Sequence, residues 1–189
     1  MAFLTQSELK QLGFKKLGKN VKISNKASIY NHDQIEIGDD SRIDDFCILS
    51  GKISIGNNVH IAAYCNVAGG EKGIVLDDFS GLAYGCQILA QSDDYTGMSM
   101  TNPTVPKKYK NETIKTVTIG RHVIVGTNSV ILPGVHVADG CSVGAMTMVT
   151  KSTQPWGVYF GVPAKRIKER KKNILELEVQ YKIDKQENL

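Results

Sequence analysis

The sequence contains no long apolar stretch. None of its segments approaches the ~18 consecutive apolar residues that a membrane-spanning helix needs. Its start, MAFLTQSELKQLGFKK, lacks the charged and apolar regions of a signal peptide. We therefore expect a cytoplasmic protein that does not insert into a membrane. The 189 residues, 41% of them hydrophobic and 22% charged, are ordinary for one globular domain with a sizeable core.

Motifs that pair cysteines are absent as well. The four cysteines, Cys47, Cys65, Cys86 and Cys141, lie far apart and form no C-x-x-C pair, which argues against a zinc ribbon or a thioredoxin-type motif. A strong charge is also missing, because the net charge is only +4 and is concentrated in the basic segment 165–172. We therefore expect no general affinity for nucleic acid.

What the sequence does have is a repeat of six residues. Aliphatic residues recur at steps of six in three regular runs, which are Ile37, Ile43, Leu49, Ile55, Ile61 and Val67, then Leu76, Leu82 and Ile88, and finally Ile119, Val125, Ile131, Val137, Val143 and Val149. A less regular run at 17–29 precedes them. The fifth place of each unit holds a small or β-branched residue, and all four cysteines occupy it.

This period predicts a triangular coil of short parallel strands. An α-helix would need a spacing of about 3.6 residues, and plain alternation would not require a small residue at one fixed place. If each hexad forms one side and three hexads form one turn, the aliphatic residues fill the interior while the turns stack at about 4.8 Å. The cysteines are then free, packed thiols and not nucleophiles or bridges.

The pattern resembles the hexapeptide repeat of left-handed parallel β-helix proteins over residues 17–154. The left-handed coiling is implied by the resemblance, because the spacing alone leaves the hand open. We expect an all-β domain at 17–154 with an excursion loop at about 91–116, an N-terminal helical cap at 1–16, and a C-terminal basic segment and helix at 155–189.

Both ends of the chain show helical signals. Thr5 and Glu8 have capping-box spacing and Gly13 fits a C-terminal stop, which predicts a short helix over the open end of the coil. Near the other end, the segment NILELEVQYKIDKQ predicts a helix that packs on the coil or on a neighbouring subunit. Its expected apolar face consists of Ile174, Leu175, Leu177 and Val179.

The C-terminal half carries motifs that resemble those of acyltransferases with this repeat. They are Gly120, Gly126, Pro133-Gly134, Gly144-Ala145, Val149-Thr150-Lys151 and the phrase GVPAKRI at 161–167. The similarity is closest to the sugar-modifying branch, with galactoside and maltose O-acetyltransferases and N-acetyltransferases of nucleotide-linked aminodeoxy sugars. The resemblance implies a homotrimer with active sites at the subunit interfaces, acetyl-CoA as co-substrate along the coil, and no metal.

The resemblance also implies a set of cofactor-binding residues. Small residues let the pantetheine arm of CoA approach the coil backbone, and cations bind the CoA phosphates. The residues concerned are Gly126, Thr127, Gly144, Ala145, Thr150, Lys151, Lys165 and Lys168. A solvated tail is the alternative interpretation of the basic segment.

The repeat is interrupted between Ile88 and Ile119, where 31 residues replace six. Because the register returns, this segment is an excursion from the coil, and a long loop in a compact fold is usually functional. In the family such a loop reaches over the adjacent subunit, and we expect Asp94 and Tyr95 to bind the acceptor. Where galactoside-type relatives carry a catalytic histidine, this sequence has Asp93, a weaker base at neutral pH.

Two proton acceptors are therefore candidates. Asp93 suffices if the acceptor is an amine, which attacks a thioester with little activation. His60 directly precedes the hexad that carries an active-site asparagine in galactoside-type relatives, a position that Ala62 occupies here. We expect His60 to face Asp93 or Asp94 of a neighbouring subunit, because a carboxylate orients an imidazole base.

The same comparison with the family gives the remaining contacts. Tyr64 and Asn66, in the hexad after His60, are expected to bind the substrate. A backbone N–H group of Gly126 or Gly144 is expected to stabilise the oxyanion of the reaction.

The phrases IDDFCILSG and SDDYTG look most like enzymes that act on dTDP-4-amino-4,6-dideoxyglucose. The expected activity is therefore acetyl transfer from acetyl-CoA to the amine of a nucleotide-linked aminodeoxy sugar in surface-polysaccharide biosynthesis. An O-acetyltransferase of galactoside or maltose type and a non-catalytic β-helix assembly subunit are the alternatives. A metal hydratase on such a coil is disfavoured, because His122 and His136, expected on the surface, are not spaced for a shared metal.

Overall fold

The computed structural model describes residues 2–187, which form a three-sided coil of short strands. The helices are α1 (Gln6–Gln11) and α2 (Ile174–Glu187), with short 3-10 helices at His32–Gln34 and Lys107–Tyr109. The strands are β1 (Lys16–Leu17), β2 (Lys22–Ile23), β3 (Ser28–Ile29), β4 (Ile35–Ile37), β5 (Arg42–Ile43), β6 (Ile48–Ile55), β7 (His60–Ile61), β8 (Asn66–Leu76), β9 (Gly81–Leu82), β10 (Gln87–Leu89), β11 (Gln91–Ser92), β12 (Thr113–Ile114), β13 (Val117–Ile119), β14 (Ile124–Val125), β15 (Val130–Ile131), β16 (His136–Val137), β17 (Ser142–Val143), β18 (Met148–Val149), β19 (Gly157–Phe160) and β20 (Lys165–Glu169).

The strands stack into three faces. Face 1 contains β1, β4, β13, β16 and the second parts of β6 and β8. Face 2 has the order β2-β5-β7-β9-β14-β17-β19-β20. Face 3 contains β3, β10, β15, β18 and the first parts of β6 and β8, two strands that turn a corner. Neighbouring strands are parallel on all three faces, except for the antiparallel pair β19 and β20.

The register places each inward aliphatic residue beside its equivalent one turn away. On face 1, Ile37 is opposite Ile55, and Leu76 is opposite both Ile55 and Ile119. These four side chains are at most 3% exposed. The hexad pattern and the parallel β-helix predicted from it are therefore confirmed.

The fifth place of the hexad is a closely packed interior slot. All four cysteines are free and buried in it, and Ser41 and Thr147 in the same place are each 1% exposed. The Sγ atom of Cys47 lies 3.1 Å from the carbonyl oxygen of Ala62 in the next turn. Only a compact side chain fits between stacked backbones at that distance, which confirms the prediction of packed thiols.

The corners of the coil have left-handed backbone at the fourth place of the hexad. Asn58 and Asn128 have φ angles of 56° and 57°, as expected for asparagine. Phe46, Tyr64 and Met146 adopt the same conformation with φ angles of 60°, 66° and 57°, which costs about 1–3 kcal/mol for such side chains. Glycine or asparagine therefore avoids the backbone strain at only some of the corners. These three bulky residues all lie along the edge between faces 2 and 3.

The excursion loop leaves the coil and returns to it at one edge. Strand β10 ends on face 3 at Leu89, and β13 resumes on face 1 at Val117. The two ends of the loop pair with each other as the antiparallel strands β11 and β12. The loop thus projects from the edge between faces 3 and 1 without disturbing the stack, as the hexad phase predicts.

Helix α1 covers the first turn of the coil. The Thr5 N–H donates to Glu8 Oε2 at 2.7 Å, and the Glu8 N–H donates to Thr5 Oγ1 at 3.3 Å, so the predicted capping box is present. Leu9 is fully buried in the core cluster that includes Val21 and Ile23. Burial of this one apolar side chain fixes the helix over the open end of the coil.

At the other end the coil continues past residue 154. Strand β19 extends face 2 parallel to β17, and Tyr159 occupies the inward place opposite Val143. Strand β20 then folds back antiparallel to β19. Lys165, Arg166 and Lys168 of the basic segment consequently lie on a strand at the end of face 2, which the sequence pattern did not indicate.

Helix α2 packs along the edge between faces 1 and 2 through polar side chains. Tyr181 accepts a hydrogen bond from Asn58 Nδ2 at 3.0 Å, and Glu178 is only 7% exposed. Leu177 and Val179, predicted to pack on the coil or on a neighbouring subunit, are 66% and 61% exposed in the single chain. Glu178 and Tyr181 make the contact with the coil, and packing of the exposed apolar residues on a neighbouring subunit stays a prediction.

His122 lies beneath α2. Its Nε2 atom is 2.7 Å from Glu178 Oε2, and the Phe79 ring stacks on it at a centroid distance of 5.2 Å. The prediction of a surface position for His122 is therefore wrong, because the helix folds back over this corner. His136, at the start of β16, is exposed as predicted.

Replacing Ile61 with alanine is expected to lower the free energy of unfolding by about 2–5 kcal/mol, because it leaves a cavity in a packed interior. Ile61 is fully buried, whereas Ile124 on the same face points outward and is 41% exposed. The matched control Ile124→Ala should cost less than half as much. Urea unfolding followed by circular dichroism measures both values, and equal losses would contradict the assignment of inward and outward places.

Candidate functional site

Face 2 presents an ordered series of outward side chains. The register aligns one outward column from the first turn to the last, consisting of Lys22, Arg42, His60, Gly81, Ile124, Ser142 and Val158. Two residues further along each turn lies a second column, consisting of Ser24, Asp44, Ala62, Ala83, Gly126 and Gly144. The face is thus charged in its first turns and carries mainly glycine and alanine, with Ile124, in the middle, and β20 adds lysines at its far end.

His60 is paired with a carboxylate of its own chain. Its Nε2 atom lies 2.9 Å from Asp44 Oδ2, while Arg42 Nε lies 2.6 Å from Asp44 Oδ1. Asp44 is only 3% exposed, whereas 51% of the His60 side chain is accessible. An accessible imidazole is therefore held by a buried acid.

The electrostatics of this cluster keep Asp44 ionised. Burial alone would raise the pKa of Asp44, but the hydrogen bonds from Arg42 and His60 outweigh it and lower the pKa below its ordinary value. The Arg42 guanidinium also lies over the Phe3 ring at 5.3 Å. A fixed carboxylate beside an accessible imidazole is typical of sites that transfer protons.

Two positions of the strip beyond His60 are glycine for different reasons. At Gly126, a Cβ atom would lie 2.5 Å from the backbone nitrogen of Ala145, so the stacking of the turns requires glycine. At Gly81, next to His60, a Cβ atom would lie 3.5 Å from Ile124 Cδ1, which is an ordinary contact. The fold does not require glycine at Gly81, and the space beside His60 is open to a ligand.

The backbone N–H groups of this strip differ in availability. Those of Gly126 and Gly144 each donate to a carbonyl oxygen of the next turn at 2.8 Å. The prediction that either one stabilises an oxyanion is wrong, because the N–H group at the second place of the hexad already donates a hydrogen bond to the next turn. The N–H groups of Thr127 and Ala145 find no acceptor within residues 2–187. These two cofactor candidates therefore carry free donors.

The candidate cations lie at the C-terminal end of the coil. Lys165 and Lys168 are exposed on β20, with Lys168 opposite Val158 of β19. Thr150 and Lys151 are also exposed, but they follow β18 on face 3. The structure brings Lys165 and Lys168 to face 2 and leaves the other two on the neighbouring face.

An aromatic ridge, formed by Phe46 and Tyr64, follows the edge between faces 2 and 3. The two rings stack at a centroid distance of 5.2 Å, and the residues are 48% and 61% exposed. Asn66 lies beyond the ridge on face 3 and donates from Nδ2 to Gln87 Oε1 at 3.2 Å. Tyr64 is therefore next to the strip of face 2, whereas Asn66 belongs to the adjoining face.

In the excursion loop, Asp94 holds the local conformation. It accepts hydrogen bonds from the Thr96 hydroxyl at 2.7 Å, the Thr96 N–H at 2.9 Å and the Ser99 hydroxyl at 2.9 Å. The contacts with Thr96, followed by those with Ser99, lower the pKa of Asp94. Asp93 accepts one longer bond, from the Asn102 N–H at 3.3 Å. Asp93 has more free hydrogen-bonding capacity than Asp94.

His60 and Asp93 lie on different sides of one chain. His60 is on face 2, and Asp93 belongs to the loop that leaves the edge between faces 3 and 1. Asp93 lines a pocket of about 300 Å³ together with Tyr95, which is 90% exposed. A contact between His60 and Asp93 or Asp94 would require a second chain, and it stays a prediction. Within residues 2–187, the carboxylate that contacts His60 is Asp44.

Sequence reasoning missed Asp44 and Arg42, although a signal was present. Three hexads make one turn, so the second place of a hexad stacks on the second place of the equivalent hexad one turn later. The last place of the preceding hexad lies two residues before that position on the same face, and its outward side chain is therefore a neighbour. Asp44 and His60 occupy these two places, 16 residues apart. Applying the repeat to outward residues would have predicted their contact.

The histidines do not form a metal site in the part of the chain that the structure describes. His60 lies on face 2, His122 under α2 and His136 on face 1. No group of three or more His, Cys, Asp or Glu side chains within residues 2–187 is arranged to hold a metal ion. Across the same residues, neither helix has the length and apolar character needed to cross a membrane.

Comparisons with known proteins agree with the repeat. The family model "bacterial transferase hexapeptide (six repeats)" matches residues 34–69 and 116–151. A dTDP-4-amino-4,6-dideoxy-D-glucose acyltransferase from Escherichia coli is 43% identical over 185 residues, which cover 96% of both chains. WbbJ of Escherichia coli K12, a putative lipopolysaccharide biosynthesis O-acetyl transferase, is 28% identical over 78% of this chain and 74% of its own length.

Solved structures give the same result. A variant of AntD, an N-acyltransferase from Bacillus cereus, was solved with dTDP-4-amino-4,6-dideoxyglucose and coenzyme A. It superimposes with a TM-score of 0.96 at 48% identity, covering 97% of this chain and 98% of that one. AntD with dTDP and 3-hydroxybutyryl-CoA gives a TM-score of 0.96 at 47% identity and the same coverage.

Proposed function

Because this chain belongs to the bacterial hexapeptide-repeat transferases, we propose that it transfers the acetyl group of acetyl-CoA to the amine of a nucleotide-linked aminodeoxy sugar. The similarity to enzymes of dTDP-4-amino-4,6-dideoxyglucose, which extends over nearly the whole chain, supports this substrate class. The structural observation that carries the proposal is the order of groups along face 2, from the lysines of β20 through the glycine- and alanine-rich strip to His60.

The donor is proposed to lie along face 2. Lys165 and Lys168 bind its phosphates, and the free N–H groups of Thr127 and Ala145 bind the carbonyl oxygens of pantetheine. Five strand steps separate β20 from β7, a distance of about 24 Å at ~4.8 Å per step, which suits an extended CoA chain. The thioester then lies in the open space beside Gly81.

The remaining cofactor-binding candidates lie along the edges of the proposed donor path. Gly126 and Gly144 keep the strip flat enough for close approach of the pantetheine arm. Thr150 and Lys151, on the adjoining face at the same end of the coil, are assigned to the phosphates of CoA together with Lys165 and Lys168.

The reaction is a direct transfer. The amine of the acceptor attacks the acetyl carbonyl, a C–N bond forms, the C–S bond breaks and CoA leaves as its thiolate. His60 accepts the proton that the amine loses. Asp93 of a neighbouring subunit is the alternative acceptor, and Asp94, Tyr95, Tyr64 and Asn66 are assigned to the sugar nucleotide.

We assign the enzyme to a homotrimer in the cytoplasm, in a pathway of surface-polysaccharide synthesis. The placement of His60 and of the excursion loop on different sides of one chain supports an interface site, because a second chain is needed to bring them together. The exposed ridge of Phe46 and Tyr64 is an apolar surface for such a contact. Analytical ultracentrifugation measures the number of chains directly.

A panel of acceptors and donors tests the activity. The acceptors are nucleotide-linked aminodeoxy sugars, matched nucleotide sugars with a hydroxyl group in place of the amine, and simple galactosides and maltose. The donors are acetyl-CoA and 3-hydroxybutyryl-CoA, with release of the free thiol as the readout. Turnover of the amino sugars alone supports the proposal. Turnover of the hydroxyl acceptors alone would show an O-acetyltransferase.

Thermal unfolding distinguishes an enzyme from a non-catalytic assembly subunit. Acetyl-CoA should raise the melting temperature in proportion to the logarithm of its concentration above Kd, because it binds the folded state. An assembly subunit without a donor site would show no such rise.

Replacing Gly81 with valine is expected to raise KM for acetyl-CoA about tenfold, because the new side chain enters the space assigned to the thioester and overpacking costs about 1–3 kcal/mol. The melting temperature should change much less than KM, since a Cβ atom at this position makes only an ordinary contact, 3.5 Å from Ile124 Cδ1. The matched control is Thr118→Val, at an outward place of face 1. Equal KM values for the two variants would contradict the assigned path of the donor.

A further inference from the structure

The cluster around His60 is arranged as a chain of three side chains that begins with Arg42. Arg42 Nε contacts one oxygen of Asp44 at 2.6 Å, and His60 Nε2 contacts the other at 2.9 Å. Both carboxylate oxygens are thus engaged by groups on opposite sides. This arrangement fixes the plane of a carboxylate that is already 97% removed from solvent, since Asp44 is 3% exposed.

The charge of Asp44 determines which nitrogen of His60 carries hydrogen. An ionised carboxylate is only an acceptor, so the nitrogen that faces it must be the donor. His60 Nε2 is therefore protonated, and the lone pair of the neutral ring lies on Nδ1. Nδ1 has no hydrogen-bond partner among residues 2–187, which leaves it available to a ligand beside Gly81.

The neighbouring carboxylate is engaged elsewhere. Asp45 receives a hydrogen bond from the Ser24 hydroxyl and lies 3.8 Å from Lys26 Nζ. Two adjacent aspartates therefore have separate roles, and only Asp44 contacts the imidazole. This difference provides a matched control in the same segment of the chain.

We propose that Asp44, held in place by Arg42, is a positioning residue that keeps His60 in the Nε2–H tautomer with Nδ1 as the proton acceptor. The proposal rests on the assignment of His60 as the base. When the amine attacks the thioester, its proton passes to Nδ1, and the imidazolium that forms is stabilised by the carboxylate at Nε2. The proton then leaves with the CoA thiol or to solvent, and the neutral tautomer is restored.

The direct test is the tautomer itself. Two-dimensional ¹H–¹⁵N spectra of protein labelled at histidine nitrogen distinguish a protonated from an unprotonated ring nitrogen, and His60→Gln identifies the His60 signals. In the neutral imidazole ring of the wild-type protein, Nε2 should be protonated and Nδ1 unprotonated. The opposite tautomer in the wild-type protein would overturn the proposal without any variant.

The variant Asp44→Asn tests the consequence for catalysis. Its amide can donate to Nε2, which moves the hydrogen to Nδ1 and removes the base from the substrate side. We expect kcat to fall at least tenfold, KM for acetyl-CoA to change less than threefold, and the tautomer signals to change. Asp45→Asn should retain kcat and the wild-type tautomer, and Asp44→Glu should recover part of kcat.

The outcomes separate this proposal from the one on which it rests. If His60→Ala is inactive while Asp44→Asn keeps its kcat with an altered tautomer, His60 is the base and Asp44 is not its positioning residue. If His60→Ala itself remains active, the assignment of the base fails. Should Asp44→Asn not fold, Arg42→Gln with the same spectra tests the fixed carboxylate.

Discussion

The His60→Ala variant is expected to have a kcat/KM about 10³-fold below that of the wild-type enzyme, within the 10²–10⁴ range of general base catalysis. The imidazole is accessible and directly beside the open space at Gly81, so its removal takes away the proton acceptor without filling or emptying the core. The melting temperature should fall modestly, because the buried Asp44 loses one hydrogen-bond partner and keeps the other, Arg42. Thiol release at saturating acceptor measures the loss.

The contrast with Asp93→Ala decides between the two candidate bases. If His60 is the base, the loss in Asp93→Ala should be far smaller than in His60→Ala. A larger loss in Asp93→Ala would transfer the role to the loop. If both variants keep kcat/KM within about threefold of the wild-type value, a difference below ~0.7 kcal/mol, neither residue is the base.

Mixing the two variants tests whether a site uses two chains. In the proposed trimer, mixtures of His60→Ala and Asp93→Ala chains would contain some interfaces with both residues intact and some with neither. Partial recovery of activity on co-refolding is expected if Asp93 acts on the neighbouring subunit. No recovery, with both single variants inactive, would contradict the interface site.

The double variant Lys165→Ala/Lys168→Ala is expected to raise KM for acetyl-CoA about 100-fold with little change in kcat. A charge-assisted hydrogen bond is worth about 1.5–3 kcal/mol, so each lysine contributes about tenfold at the lower end of that range. Neither residue is near the reacting atoms, since β20 lies at the far end of face 2. Steady-state kinetics with varied donor concentration gives both constants.

A matched double variant tests the alternative that the basic segment is only a solvated tail. Lys171→Ala/Lys172→Ala removes the same charge just beyond β20. If the lysines of β20 bind phosphate groups, this control should change KM less than threefold, and 3′-dephospho-CoA should show a smaller difference between wild type and the β20 variant. Equal effects of the two double variants on KM would show that Lys165 and Lys168 contribute only non-specific positive charge.

The fold was predictable because a hexapeptide repeat is a nearest-neighbour structure. Each turn contacts only the turns beside it, so the period and the slot for small residues specify the stacking without long-range information. The return of Ile119 to the phase of Leu76 also showed that the long loop is an insertion, and the register confirms it. The capping box of α1 was equally local.

The errors arose where the chain folds back on itself. His122 was predicted on the surface, but α2 returns from more than 50 residues away and buries it against Glu178, a contact between residues 56 apart. The apolar residues of α2 did not predict its contact face, because Glu178 and Tyr181 contact His122 and Asn58 on that edge. The prediction that Gly126 or Gly144 donates to the oxyanion was wrong because hydrogen bonds between turns use both N–H groups.

The sequence by itself determined the coil, the interior positions of all four cysteines, the excursion loop and the resemblance to acyltransferases, because each of these is written in short, repeated spacings. Only the tertiary structure decided that β20 closes face 2 with lysines and that the carboxylate beside His60 is Asp44. Pairing between outward side chains depends on which turns stack and how the side chains orient. A pattern that repeats along the chain therefore predicts the interior residues of the coil far better than the contacts between its surface residues.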